Sequence, residues 1–175
     1  MSQSLQPKSL QLKQIILNLR LQHHPEGGFF RETYRSTGVI NPESLNSQYN
    51  GFRNYSTCIY FLLTSDVFSA FHRIHQDEIW HFYIGSPIYL HIITEDGEYS
   101  KTAIGCDIAQ GQIPQFVVPG ESWFAATVIN SDDYSLLGCT VSPGFDFSDF
   151  ELPSRNVLIE RFPQHKEIIT KLTRD

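Results

Sequence analysis

Cysteine is scarce in this chain. Its 175 residues hold only Cys58, Cys106 and Cys139, an odd number with no close pair. That excludes a disulfide framework and a zinc ribbon, both of which need cysteines at paired spacings. No apolar run approaches the length that spans a bilayer. The start, Met1 to Gln6, is polar and lacks the apolar core of a signal peptide, so a cytoplasmic protein is expected. Positive charge is also short, with 13 Lys and Arg against 19 Asp and Glu and a net charge of −6. An acidic surface repels phosphate backbones and anionic lipid, so neither nucleic acid nor a membrane is an expected partner. There is no internal repeat, low-complexity tract or linker, and residues 1–175 are expected to form a single domain. Gly27-Gly28 lacks the spacing of a phosphate-binding loop, and Gly120-Glu121-Ser122-Trp123 lacks the second glycine of a nucleophile elbow.

What the chain does have is apolar and aromatic residues: 41% hydrophobic, with thirteen Phe and eight Tyr. This is enough to bury a core, and aromatics favour strands and the linings of pockets. Leu12, Ile15, Ile16 and Leu19 recur at helical spacing, with Ser9 as the expected N-cap. That helix must stop before His24-Pro25, since the residue preceding proline is pushed out of the helical region. A second short helix is expected near the end, opening at Pro163 and burying Ile168, Ile169 and Leu172. Between them, runs such as 29–34, 57–63, 67–74, 79–84, 88–93, 115–118, 122–128 and 135–141 read as strands. Asp96-Gly97 marks a hairpin turn, and 37–49 reads as a surface loop. About eight short strands imply an all-β sandwich, jelly roll or barrel.

The densest polar cluster is His72-Arg73-Ile74-His75-Gln76-Asp77-Glu78-Ile79-Trp80-His81. Alternation puts His72 and Ile74 on one face before a turn, and Glu78, Trp80 and Phe82 on one face after it. If both face inward, His72 and Glu78 meet in the barrel, as a base with its orienting partner, as metal ligands, or as a buried pair that only satisfies the core. His81 then points outward. Trp80 and Trp123 are expected to line the site, and Tyr34, Tyr60 and Tyr134 are candidate proton donors. Glu26-Gly27-Gly28 reads either as a tight turn or as backbone that approaches a ligand. The segment 145–150 reads either as a flap over the barrel mouth or as cover for a sheet edge.

The stretch His72 to Gly85 resembles the first cupin motif, with Glu78 and Gly85 at the glutamate and glycine and His72 at the first histidine. The second histidine position holds Ile74, with His75 displaced by one. The second cupin motif resembles Pro119-Gly120-Glu121-Ser122-Trp123-Phe124, and its histidine position is aromatic. The runs from His24 to Arg35, from Ser56 to Leu63, from Asp77 to Tyr83 and from Cys139 to Phe147 resemble the Cupin_5 branch. This likeness extends from about Leu10 to Leu152. A more distant likeness is to the sugar-nucleotide epimerases of rhamnose synthesis. Gly27-Gly28-Phe29-Phe30-Arg31-Glu32 follows their opening run, with Gly27 where they carry an arginine for the nucleotide phosphates.

These resemblances imply a double-stranded β-helix (a jelly-roll β-barrel), a homodimer and a small-molecule ligand, with no cofactor. The site residues implied are His72, Glu78 and Glu32 for catalysis and Phe30, Trp80, Phe82 and Trp123 for ligand binding. One reading is a sugar isomerase or epimerase-like enzyme with His72 as base. A second is a non-catalytic binding module. A third, metal-dependent reading places a divalent ion on His72, His75 and Glu78, where three protein ligands are the usual catalytic minimum.

Overall fold

The structure is a computed structural model that describes residues 8–175. The polar start, Met1 to Gln6, lies outside the described residues. Helix α1 (Lys8–Asn18) is followed by strands β1 (Gln22–His23), β2 (Phe29–Arg35), β3 (Val39–Ile40), β4 (Arg53–Asn54), β5 (Thr57–Thr64) and β6 (Ser69–His72). Then come β7 (Asp77–Gly85), β8 (Ile88–Ile93), β9 (Tyr99–Ile104), β10 (Gln115–Val118), β11 (Trp123–Val128) and β12 (Tyr134–Ser142). Helices α2 (Arg155–Arg161) and α3 (Lys166–Lys171) close the chain. Among the described residues no helix is long and apolar enough to cross a membrane.

Two antiparallel sheets build a jelly roll. One has six strands in the order β1-β2-β5-β12-β7-β10, and the other has four in the order β6-β11-β8-β9. Alternation along each strand sends one side chain in two to the space between them. Phe61 and Leu63 of β5, Trp80 of β7, Leu90 and Ile92 of β8, and Leu137 of β12 meet there. The outer faces are covered separately. Leu12, Ile15, Ile16 and Leu19 of α1 pack against Leu62, Tyr134 and Leu136 of the larger sheet. Leu158 of α2, Phe162, and Ile169 of α3 with Leu172 pack against Phe71, Ile93, Trp123 and Ala125 of the smaller sheet.

Several sequence expectations change. Ser9 lies inside α1, which already begins at Lys8, and is not its N-cap. The C-terminal helix opens at Pro163 as expected, through a 3-10 turn, Pro163–His165, that leads into α3, whereas α2 before it was not expected. The 37–49 loop contains β3, which pairs with β4, and a 3-10 turn at Pro42–Ser44. Strand β9 was not expected at all. Its sequence, Tyr-Ser-Lys-Thr-Ala-Ile, is mostly exposed at a sheet edge and so lacks an apolar stripe.

After β12 the chain crosses the barrel end as 145–151, with a 3-10 turn at Phe147–Asp149. Asp149 anchors this segment. Arg53 Nε donates to its Oδ2 at 2.7 Å, Arg53 Nη2 donates to its Oδ1, and Gln76 Nε2 donates to Oδ2 at 2.7 Å. Both members of the ion pair are buried. Two parallel N–H···O bonds give the guanidinium a fixed geometry that satisfies both charges. Arg53 also donates to the carbonyls of Asn50 and Phe52 and to Ser148 Oγ, so the bond set knits 50–53 to 148–149. Removing one partner strands the other charge in the interior, which costs about 3–5 kcal/mol. Asp149→Ala should therefore lower the unfolding free energy in urea by about that amount. A change below about 1 kcal/mol would show that the pair does not secure the segment.

Candidate functional site

Between the sheets, behind the 145–150 segment, lies a cavity of about 250 Å³. Its inner polar groups come from four elements. Glu26 sits in the turn between β1 and β2, His72 ends β6, Glu78 lies near the start of β7 and Cys139 is central in β12. His24 adds a second imidazole from the same turn as Glu26.

Two glycines bring that turn close. Gly27 (φ 118°) and Gly28 (φ 73°) adopt backbone conformations that L side chains rarely accept. A Cβ on Gly28 would lie 2.6 Å from the Leu62 carbonyl oxygen, and one on Gly27 would lie 2.3 Å from that of Phe68. The turn therefore presses flat on β5 and on the approach to β6, which drives the Glu26 side chain inward. Arg174, past the last helix, locks it there by donating to the carbonyls of Glu26 and Phe68.

The hydrogen bonds then fix proton positions. His72 Nδ1 lies 2.8 Å from the Ala70 carbonyl oxygen, which only accepts, so Nδ1 carries a hydrogen. In the neutral ring Nε2 is then an acceptor, and it faces Glu26 Oε2 at 3.1 Å. His24 Nδ1 accepts the Glu26 backbone N–H at 3.4 Å and faces the same Oε2 at 3.3 Å. Glu26 Oε1 accepts from the Ser69 hydroxyl at 2.7 Å. One carboxyl oxygen thus confronts two acceptor nitrogens, an arrangement that a proton on Oε2 satisfies. The electrostatics agree. Burial pushes the Glu26 carboxyl up, against the pull of His24, Ser69 and Arg174. Burial also lowers both His24 and His72, favouring neutral rings.

Glu78 is the second acid. Burial raises it to about 7, with Glu26 adding to the rise while His72 and the Cys139 thiol oppose it. Cys139 is pushed well above the usual thiol range, first by burial and then by Glu78, so it stays a protonated hydrogen-bond donor.

The remaining expected residues divide. Phe30 and Glu32 line the cavity. Glu32, however, is half-exposed at the rim, where it takes two hydrogen bonds from Arg35, 3.0 and 2.7 Å long. It does not orient His72; Glu26 holds that position. Trp80 shares the inward face of Glu78 but lies deeper, buried in the core against Phe61 and Phe124. Phe82 also packs on the core and lines no part of this cavity. Trp123 faces the other way, under the C-terminal helices. Tyr34, Tyr60 and Tyr134 do not line the cavity either. His81 points outward, against Thr140 and Gln115. Sequence reasoning passed over Glu26, His24, Arg35 and Cys139. The one available signal was the His24-x-Glu26 spacing beside two glycines, which reads as a tight turn or as backbone approaching a ligand, not as a side-chain site.

The chain matches the family model Cupin_5, described as cupin superfamily (DUF985), over residues 13–153. It belongs to the Cupin_5 family. It is 34% identical over 152 residues to the uncharacterized protein YML079W of Saccharomyces cerevisiae, covering 82% of this chain and 74% of that protein. The crystal structure of protein SO0799 from Shewanella oneidensis is similar at 41% identity and a TM-score of 0.83, over 93% of this chain and 96% of that one. A hypothetical protein from Leishmania major is similar at 34% identity and a TM-score of 0.84, over 93% and 98%. Oxalate decarboxylase from Bacillus subtilis shares the fold at 13% identity and a TM-score of 0.51, over 86% of this chain and 36% of that one.

Cupins of other branches bind metal through two histidines, a glutamate and a third histidine, and this Cupin_5 chain does not supply that set. Ile74 stands at the second histidine position. Phe124, paired across from His72, fills the far side with its ring centroid 4.0 Å from the imidazole. His75, the expected third ligand, points away from the cavity and bonds Glu121 at 2.7 Å. Among the described residues no group of three His, Cys, Asp or Glu side chains is placed to hold a metal ion.

A carboxyl raised from 4.5 to about 7 leaves the folded state holding a proton that the unfolded state has released. Its stabilising contribution is full below pH 4.5 and is lost as pH rises through about 7. His24, His72 and His91 are lowered and act in the opposite sense below pH 6.5, so the Glu78 effect is read as a difference. Relative to Glu78→Gln, the wild type should lose up to about 3 kcal/mol between pH 4.5 and pH 8 in urea unfolding. Parallel curves for the two proteins would place the Glu78 titration elsewhere.

Proposed function

We propose that this protein binds one small organic molecule in the barrel cavity and shifts a proton on it, an isomerase- or epimerase-type reaction at a carbon beside a carbonyl. The observation that carries the reading is the pairing of two buried acids with different environments on one cavity wall. Glu78 is poised near neutrality, as a general base must be. Glu26 keeps its proton between two neutral imidazoles. Titratable neighbours with unlike environments are the usual signature of an acid and its base.

In this scheme the Glu78 carboxylate takes a proton from the carbon next to the carbonyl. The electron pair moves into a new carbon–carbon double bond, and the Glu26 proton, held against His72 Nε2 in the resting site, swings to the carbonyl oxygen. Return of a proton to the same carbon, with the enol oxygen giving its proton back to Glu26, restores the carbonyl and, when it arrives from the other face, gives the epimer. An isomer forms only where that carbon carries a hydroxyl, which gives up its proton and becomes the new carbonyl as the former carbonyl carbon takes one. Atoms and electrons balance without a co-reactant. His72 differs here from the base, oriented by Glu78 or Glu32, that was expected from sequence. With Nδ1 committed to Ala70 and Nε2 to Glu26, it holds the acid in place and accepts its hydrogen bond. The phenylalanines of 145–150 shield the site from water, which strengthens each of these interactions.

Solvent-hydrogen exchange tests the reading. Incubated with a panel of small ketones and keto-sugars in deuterated water, the wild type should wash deuterium into the position beside the carbonyl. Glu78→Gln and His72→Ala should each slow this by about 100-fold or more. The wild-type rate should rise with pH through about 7 as Glu78 ionises. Exchange that is unchanged in both variants would remove the site from the reaction.

A further inference from the structure

The polar lining falls into an inner group, His24, Glu26, His72, Glu78 and Cys139, and a rim group, Glu32, Arg35, Thr57 and Asp146, whose members already have hydrogen bonds of their own. Phe30, Phe61, Phe145, Phe147 and Phe150 surround the space, together with aliphatic side chains from β5, β7's approach and β12. The wall hydroxyl of Thr57 already accepts the Phe145 backbone N–H at 2.9 Å. A sugar stripped of water here would leave most of its hydroxyls without partners, and each such group carries a large penalty.

Charge narrows the choice further. Among the described residues four acids line the cavity, Glu26, Glu32, Glu78 and Asp146, against one Lys or Arg side chain, Arg35. That guanidinium is already engaged. It donates twice to Glu32, to Asn54 Oδ1 at 2.9 Å and to the Phe145 carbonyl at 3.1 Å. Arg31 lies over the Tyr60 ring, and Arg73 is tied to Glu121 and Glu151, so neither turns toward the cavity. A phosphate or carboxylate entering this space would meet carboxyl groups and no free cation. Size points the same way. At about 250 Å³ the cavity is smaller than the roughly 300–1,000 Å³ that encloses drug-sized ligands.

We infer that the ligand is an uncharged, one-ring carbonyl compound with an apolar body, seated with its carbonyl at the Glu26–Glu78 cluster and its ring among the phenylalanines. This rests on the proton-transfer reading above and names its substrate class. It departs from sugars, phosphate esters and nucleotide-sugars. The apolar ring gains from burial against the aromatic walls, and the single oxygen meets the one place in the cavity that offers a donor.

The test uses the full chain with three compounds, 4-methylcyclohexanone, fructose and fructose 6-phosphate. Binding is followed by NMR at the imidazole resonances of His24 and His72, and hydrogen exchange by deuterium incorporation in the same tubes. The cyclic ketone should perturb both histidines and exchange beside its carbonyl. Fructose should bind at least about tenfold more weakly, the factor that one unpaired buried hydroxyl commands. Fructose 6-phosphate should not bind. Phe147→Ser, at the exposed rim of the wall, should weaken the ketone and leave fructose unaffected. Ketone binding without exchange would uphold the ligand class and overturn the proton-transfer reading. Tighter binding and exchange of either sugar would overturn the ligand class and leave proton transfer standing. Silence of all three at these histidines would overturn both.

Discussion

Oxygen Oε2 of Glu26 lies within 3.3 Å of an imidazole nitrogen on each of two histidines, and much of the site follows from how that contact is held. The carboxyl reaches His72 only because Gly27 and Gly28 let the preceding turn lie flat against the backbones of β5 and of the residues before β6. It stays there because Ser69 bonds its other oxygen and Arg174 bonds its carbonyl. Arg174 lies beyond residue 153, where the family match ends. The C-terminal helices that carry it also cover the outer face of the smaller sheet, so the last part of the chain both completes the core and braces the acid.

Among the described residues, the cavity floor lacks the donor set of metal-binding cupins. The positions that hold donors in metal-binding cupins carry Ile74 and an aromatic ring packed at a tilt against His72. Removing donors leaves the remaining acids and imidazoles buried without a cation of high charge to stabilise their ionised forms. Burial then decides their state, pushing carboxyls up and imidazoles down. A site of this kind favours neutral donors and acceptors over ions, which agrees with the five phenylalanines in its walls.

The wall on the solvent side depends on a different device. Phe145, Phe147 and Phe150 pack edge to face on one another, which by itself orders them only loosely. The Arg53–Asp149 pair fixes the backbone they stand on, and Arg35 ties Phe145 to the rim. Such pairs gain little net stability over apolar replacements but impose one geometry. Here that geometry is the closed end of the cavity.

The sequence by itself determined the strands whose apolar residues alternate, because a half-buried sheet needs that period. Segments 88–93 and 115–118 coincide with β8 and β10. It also put His72 and Glu78 on facing inward positions, and its long motifs identified the family. Alternation stopped being informative where both faces are covered. In β11 Trp123 and Phe124 are both buried, one under helices and one in the barrel, so the face of Trp123 was not legible. It was also silent on depth, which separates Glu78 at the cavity from Trp80 beneath it. Only the tertiary structure decided which acid meets His72, because Glu26 is 46 positions away and arrives through a turn pressed on two strands. Local sequence specifies which side a residue faces; the partner across a cavity is set by how separate elements pack.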